Sequence, residues 1–285
     1  MPAKAPEAMM KPNKSVADIA PAPAPMVLRE RLDAIAVLTL NRPDMRNSLS
    51  AALLAELTDA LNSAAADASV RVVILAANGP VFSAGHDLKE LTARRKDADG
   101  GRGFTAQLME SCSALMQKIL QLPQPVIAAI EGAATAAGCQ LVATCDLAVA
   151  SKSARFSTPG LNIGLFCSTP MVALSRNVAR KPAMEMLLTG DMIPADTALR
   201  IGLINHVVEP GAAREEALKL ARKIAGKPAT IVKLGKQAFY RQLEMGLSDA
   251  YRYASEVMVE NMMARDAEEG IAAFIEKRDP RWDNG

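Results

Sequence analysis

The sequence predicts an α/β fold in which helices cover sheets, and three observations predict it. Short aliphatic runs, IAVLTL (35–40), RVVILAA (71–77) and PVIAAI (125–130), show no polar alternation, as expected of strands covered on both faces. Longer segments between them carry apolar residues at helical spacing. From Pro182 onward the chain reads as almost wholly helical. Strand and helix therefore alternate through the first two thirds, and a helical region closes the chain.

Composition bounds the function. The 285 residues are 50% hydrophobic, 22% charged and 4% aromatic, with 33 Lys+Arg against 31 Asp+Glu. A chain of this length buries a core without a disulfide or structural metal. The net charge of +2 is spread along the chain, so no nucleic-acid partner is expected. No apolar run reaches the roughly 18 residues of a membrane span, and no membrane partner is expected. Cys112, Cys139, Cys145 and Cys167 form no C-x-x-C pair, and His86 and His206 are the only histidines, so no metal site is expected. Unpaired thiols suggest a reducing, cytoplasmic setting. Residues 1–25 hold 6 Pro and 7 Ala, lack secretory or transit-peptide character, and are expected to be extended or disordered.

The elements follow in order. VLRERLDAIAVLTL (27–40) reads as two strands around a turn at Leu32 and Asp33. Ser50 is the expected N-cap of a helix in which Leu53, Leu54, Leu57 and Leu61 share a face. RVVILAA is a strand that Asn78, Gly79 and Pro80 end. FTAQLMESCSALMQKILQL (104–122) is a helix with Leu108, Cys112, Leu115, Met116, Ile119 and Leu120 inward, and Pro123 and Pro125 stop it. PVIAAI and CDLAVAS (145–151) are further strands. The methionines of the helical end (Met184, Met186, Met245, Met258, Met262, Met263) read as core or subunit-interface filler.

Several kinds of site are missing from the text of the chain. It contains no G-x-G-x-x-G after a strand, no G-x-x-x-x-G-K-[ST], no G-x-S-x-G and no H-E-x-x-H, which removes support for nicotinamide, ATP, serine-hydrolase and zinc chemistry. Two glycine-punctuated segments remain, each where a buried strand ends. In GPVFSAGHDLKEL (79–91), Gly85 allows a tight bend and His86 or Asp87 opens a helix. In PVIAAIEGAATAAGCQ (125–140), a strand runs through small residues into a helix starting near Ala136. Small residues let a ligand approach backbone, and a helix N-terminus offers free N–H groups to a developing oxyanion.

With these motifs the chain resembles the crotonase, or enoyl-CoA hydratase/isomerase, superfamily. The resemblance rests on FSAGHDLKEL (82–91), IEGAATAAGCQLVATCD (130–146) and LLTGDMIPADTALRIGLINHVV (187–208), in the family's order, and extends from Met26 to Trp282. GLFCSTP (164–170) is similar to the mitochondrial enoyl-CoA-hydratase-domain-containing subgroup. The resemblance implies a crotonase-type ββα spiral core at 26–205 and a helical C-terminal oligomerisation region at 206–285 that builds trimers or dimers of trimers. It also implies an acyl-CoA thioester as partner, with no cofactor beyond the coenzyme A of the substrate. The thioester carbonyl would sit in an oxyanion hole formed by the backbone N–H groups of His86 and Ala137. Met45, Arg46, Ala84, Asp87 and Leu88 match segments that lie along the CoA, and Phe274 and Lys277 match a C-terminal aromatic and cation that meet it near a subunit boundary.

The family pattern fails at two positions. Hydration needs a base and an acid, supplied in the family by two glutamates. This chain has Gln140 and Gly160 there, and Asn162 where dienoyl-CoA isomerases carry an Asp. An amide does not titrate usefully and glycine has no side chain. The candidate replacements are His86, Cys139, Cys167 and Glu131. The sequence thus leaves three readings: an acyl-CoA enzyme of lyase or isomerase type with altered chemistry, a non-catalytic acyl-CoA binder, or a thioester hydrolase using a water held at the oxyanion hole.

Overall fold

The computed structural model describes Met1 and residues 24–283, so most of the Pro/Ala-rich tail lies outside the described residues. Strands β1 (Val27–Leu32) and β2 (Ile35–Leu40) form an antiparallel hairpin. Its two turn residues are Asp33 and Ala34, one position later than expected, and Asp33 takes φ +52°, a conformation Asp tolerates better than most residues.

A ββα unit then runs three times. β3 (Val72–Ala77), β5 (Val126–Ile130) and β7 (Leu147–Ser151) enter one sheet, each followed by a strand in a second sheet: β4 (Val81–Ser83), β6 (Ala133–Thr135) and β8 (Arg155–Ser157). α1 (Ala51–Ala66) precedes the first of these units, α2 (Leu88–Ala93) and α3 (Arg102–Gln121) close it, and α4 (Ala137–Thr144) closes the second. The third ends in α5 (Pro170–Asn177) and α6 (Arg180–Thr189). The remaining elements are β9 (Ile193–Pro194), α7 (Ala195–Arg200), β10 (His206–Val208), α8 (Ala213–Ala225), α9 (Ala229–Gln242), α10 (Leu247–Met262) and α11 (Arg265–Glu276). The larger sheet has the order β1-β2-β3-β5-β7-β10, parallel from β2 onward, and the smaller the order β4-β6-β8-β9. This is the spiral that the resemblance implies.

Two short strands interrupt the helical reading beyond Pro182. β9 pairs antiparallel with β8, and β10 pairs parallel with β7. At two and three residues, neither is long enough to leave a period in the sequence. β10 and the following α8 pack on the larger sheet, so its core continues past residue 205.

The absence of alternation in the strands has its cause in two cores. Val73 and Leu75 of β3 face α1, α3 and α4 through Leu53, Leu57, Leu115 and Leu141, while Val72 and Ile74 face Ala213, Ala217, Leu218 and Ala221 of α8. Burying each such aliphatic side chain contributes about 1.5–3 kcal/mol. The alanines let α8 lie close to the sheet. Ser50 caps α1 by accepting from the Leu53 N–H at 3.2 Å.

Candidate active site

The site is built where β4 and β6 of the smaller sheet run into helices. After β4 the chain turns at Gly85, whose φ is +91°. A Cβ there would lie 2.9 Å from Ala136 Cβ and 3.2 Å from Ala137 N, so only glycine lets the two loops close on each other. Behind them, a Cβ on Gly138 would meet Ser83 O at 2.2 Å, and its absence seats α4 on β4.

Two backbone donors emerge from this packing. The Leu49 N–H donates to Gly85 O at 2.8 Å, and the Asp87 N–H donates to Leu49 O at 3.4 Å. This parallel bridge engages the residues flanking His86, so the N–H of His86 itself points to the opposite side. Ala137 is the first residue of α4, and its N–H is one of the donors a helix leaves unmatched. Neither N–H has an acceptor among the described residues. Two free donors on adjoining loops suit an oxygen that gains negative charge.

The His86 ring lies on the other side. Its Nδ1 is 3.3 Å from Leu49 O, and burial holds its pKa below the ordinary histidine value against the opposing pull of the Leu49 carbonyl and the Glu90 charge. The ring is thus turned from the direction in which its own N–H points, and it stays neutral. The other replacements for the glutamates are also committed elsewhere. Glu131 accepts from the N–H groups of Gly211 and Ala213 at 2.8 Å, at the start of α8. Burial pushes the Cys139 thiol up to about 12 and raises that of Cys167, so both remain thiols at neutral pH.

Gln140 stands on α4, 4% exposed, with its Oε1 buried and unpartnered among the described residues. Gly160 lies in a 3-10 turn (Pro159–Ile163) against the GLFCSTP segment. A Cβ on Gly160 would meet Leu165 O at 2.6 Å and Cys167 Sγ at 2.9 Å, so this backbone path has no room for a longer side chain.

The expected CoA-lining residues fall into two groups. Met45 and Arg46 end a 3-10 turn (Pro43–Met45), and the Ala84 N–H donates to Arg46 O at 3.0 Å, which brings Met45, Arg46, Ala84, Asp87 and Leu88 together beside the two donors. Asp87 caps α2 through the N–H groups of Lys89 and Glu90 and sits 3.8 Å from the Arg42 guanidinium. Leu88 is half exposed. Phe274 is 85% exposed on α11, and Lys277 caps that helix with φ +55°. Among the described residues no hydrogen bond or ion pair brings these two to the 84–88 loop.

Three residues outside the sequence-derived candidates take part. Asn47, fully buried, donates to Asn78 O at 2.9 Å and Val81 O at 2.7 Å and accepts from the Arg42 N–H at 2.8 Å, lacing the 42–47 segment to the β3–β4 connection. Its φ of +48° is one that Asn tolerates, which is the available sequence signal. Ser157 and Thr158 are buried beside Ala136, whose N–H donates to Ser157 O at 3.0 Å, and neither hydroxyl has a partner among the described residues. A serine and a threonine ending a strand give no sequence signal of this.

Comparison with known proteins bears on this arrangement. The family model described as enoyl-CoA hydratase/isomerase matches residues 30–285. The chain is 50% identical over 250 residues, 88% of its length and 82% of the relative's, to the mitochondrial enoyl-CoA hydratase domain-containing protein 3 of Rattus norvegicus. A crystal structure of the human enoyl coenzyme A hydratase domain-containing protein 3 superposes with TM-score 0.86 at 48% identity, covering 90% of this chain and 100% of that one. A crystal structure of an enoyl-CoA hydratase from Mycobacterium smegmatis gives TM-score 0.86 at 50% identity, covering 90% and 99%. The cytoplasmic expectation is corrected by the rat and human relatives, which are named as mitochondrial. Unpaired thiols report a reducing environment and carry no information about which compartment supplies it.

Proposed function

Because the chain belongs to the enoyl-CoA hydratase/isomerase family, we propose that it binds an acyl-CoA thioester with the carbonyl oxygen between the N–H groups of His86 and Ala137. The observation that carries this reading is the pair of free donors on the loops that Gly85 and Gly138 hold together. Met45, Arg46, Ala84, Asp87 and Leu88 would line the CoA, and the site needs no cofactor beyond the CoA of its substrate. With an amide at 140 and no side chain at 160, the usual proton relay is missing, and loss of one acid–base group alone costs about 10²–10⁴ in rate.

Two measurements test this. Isothermal titration with butyryl-CoA is expected to show saturable one-site binding, and steady-state hydration of crotonyl-CoA is expected to run at least about 10²-fold below an ordinary family hydratase. Absence of butyryl-CoA binding overturns the thioester reading. Hydration at ordinary family rates overturns the role given to Gln140 and Gly160.

A further inference from the structure

The connection from β3 to β4 begins with Asn78-Gly79, a pair through which a chain can react with itself. A side-chain carboxamide followed by a backbone nitrogen can close a five-membered imide, and glycine sets no side chain in the path of attack. In a folded protein the reaction needs the pair to be exposed and the glycine N–H to be free of the backbone ladder.

Both conditions hold. Asn78, Gly79 and Pro80 are exposed and lie in a bend outside helix and strand. The Gly79 N–H meets no acceptor among the described residues. Asn47 Nδ2 donates to Asn78 O at 2.9 Å, which draws electron density from the Asn78–Gly79 amide and makes its N–H more acidic. The Asn78 side chain is held by one exposed hydrogen bond, from its Nδ2 to Asn41 Oδ1 at 2.9 Å. The fold has a use for both residues. Gly79 takes φ +84°, and a Cβ there would lie 2.7 Å from Pro43 Cβ. Asn78 ties the end of β3 to Asn41, whose own Nδ2 donates to Pro25 O at 3.0 Å. Asn47 and Asn62 differ in the following residue, a serine whose N–H is engaged. The Ser48 N–H donates to Met45 O at 3.1 Å, and Ser63 lies inside α1.

We propose that Asn78-Gly79 is a self-modifying site whose conversion loosens the 42–47 segment; the effect on ligand affinity rests on the acyl-CoA reading above. The Gly79 nitrogen attacks Asn78 Cγ, the new N–Cγ bond forms, the Cγ–Nδ2 bond breaks, and ammonia leaves with the Gly79 proton. Water then opens the imide at either carbonyl. Opening at Cγ leaves an aspartate at position 78, and opening at the main-chain carbonyl leaves an isoaspartate whose chain runs through Cγ. Water is consumed, ammonia is released, and no oxidant or reductant enters. The aspartate has no donor for Asn41 Oδ1. The isoaspartate adds one carbon, about 1.5 Å, to the main chain. It also turns the carbonyl that Asn47 holds into a free carboxylate. Asn47 laces the 42–47 segment to this connection, and Arg46 O accepts from the Ala84 N–H at 3.0 Å. The change therefore reaches Met45, Arg46 and Ala84 through hydrogen bonds.

The test incubates the full chain in mildly alkaline buffer made with oxygen-18 water, beside a synthetic peptide of residues 72–89 as the unfolded reference. The tryptic peptide 72–89 of the chain is expected to gain one heavy oxygen within tenfold of the free peptide's rate. It is also expected to become a substrate for a protein isoaspartate methyltransferase. The tryptic peptide 47–71, which holds Asn47 and Asn62, is expected to be labelled at least tenfold more slowly. Asn78→Ser is expected to show no label in 72–89. Titration with butyryl-CoA before and after incubation is expected to show at least a fivefold loss of affinity in the modified fraction of the wild type. In Asn78→Ser the same incubation is expected to change affinity less than twofold. Labelling of 72–89 more than tenfold slower in the chain than in the free peptide overturns the site. Labelling without a change in butyryl-CoA affinity overturns the coupling to the 42–47 segment. Fresh protein that binds no butyryl-CoA overturns the thioester reading and leaves the modification standing on its label.

Discussion

Ala136 holds φ +50° and ψ −120°, a backbone state that glycine enters freely and an alanine enters with strain. The strain lies one residue before the Ala137 donor, and it fixes the direction in which that N–H emerges. Relief of about 1–3 kcal/mol against an entropic cost of about 0.5–1 kcal/mol for glycine gives Ala136→Gly a net gain near 1 kcal/mol. Thermal unfolding is expected to shift up by about 2–4 °C, and a downward shift would show that the Ala136 methyl is held by packing and not against it. At this scale the sequence was partly legible. Small residues at the ends of β4 and β6 pointed to backbone donors, and Gln140 and Gly160 were visible as departures from the family pattern. The turn of the His86 ring toward Leu49 was not, because a side chain's direction depends on which strand bridges its neighbours. The unpartnered hydroxyls of Ser157 and Thr158 were hidden for the same reason: partners, or their lack, arise only when β8 lies beside β6.

Among the elements, α9 is fixed to the core by one buried polar cluster. Lys236 Nζ donates to Asp146 Oδ2 at 2.7 Å and to the carbonyls of Ile119 and Gln124 at 2.9 Å. Asp146 also accepts from Tyr240 Oη at 2.8 Å and from the Val126 N–H at 2.7 Å. Burial lowers the Lys236 pKa, and the Asp146 carboxylate opposes that shift. Lys236→Met would leave Asp146 without its cation and two carbonyls without a donor, and loss of one partner of a buried pair costs about 3–5 kcal/mol. Chemical denaturation is expected to show a loss of that size, with hydrogen exchange rising first in α9. Adding Asp146→Asn is expected to recover part of it, and a loss under 1 kcal/mol would remove the cluster from its anchoring role. Elements of this kind divide by how much pattern they carry. α1 and α3 were legible because four or more large apolar positions share a face, whereas β9 and β10 were not, since two or three residues cannot show a period. The role of α9 depends on Asp146, 90 residues earlier, a distance no local pattern spans.

For the whole molecule, the unmatched surface is the helical end. α10 runs for 16 residues and buries none of them. Leu247, Tyr251, Met258 and Met262 recur at helical spacing along it, and each is 45% exposed or more. Phe274 and Ile275 add exposed apolar area on α11. Contiguous apolar surface of this kind on a stable fold marks an interface, and continuous apolar spacing along one helix fits a partner that is itself regular. A second and third copy of the chain meet that description, and the family to which the chain belongs is generally oligomeric. Trimer assembly would also give Phe274 and Lys277, which no bond brings to the 84–88 loop of their own chain, a CoA to meet across a subunit boundary. Light scattering after size exclusion is therefore expected to give about three times 30.2 kDa at micromolar concentration. Tyr251→Glu combined with Met258→Glu places two charges on the stripe and is expected to dissociate the assembly while helix content is kept. If Phe274 and Lys277 meet the CoA across that boundary, butyryl-CoA affinity should fall in the same variant. A wild-type mass of 30.2 kDa would overturn the assembly, and a dissociated variant that binds butyryl-CoA unchanged would confine the CoA contacts to the 45–46 and 84–88 segments of one chain.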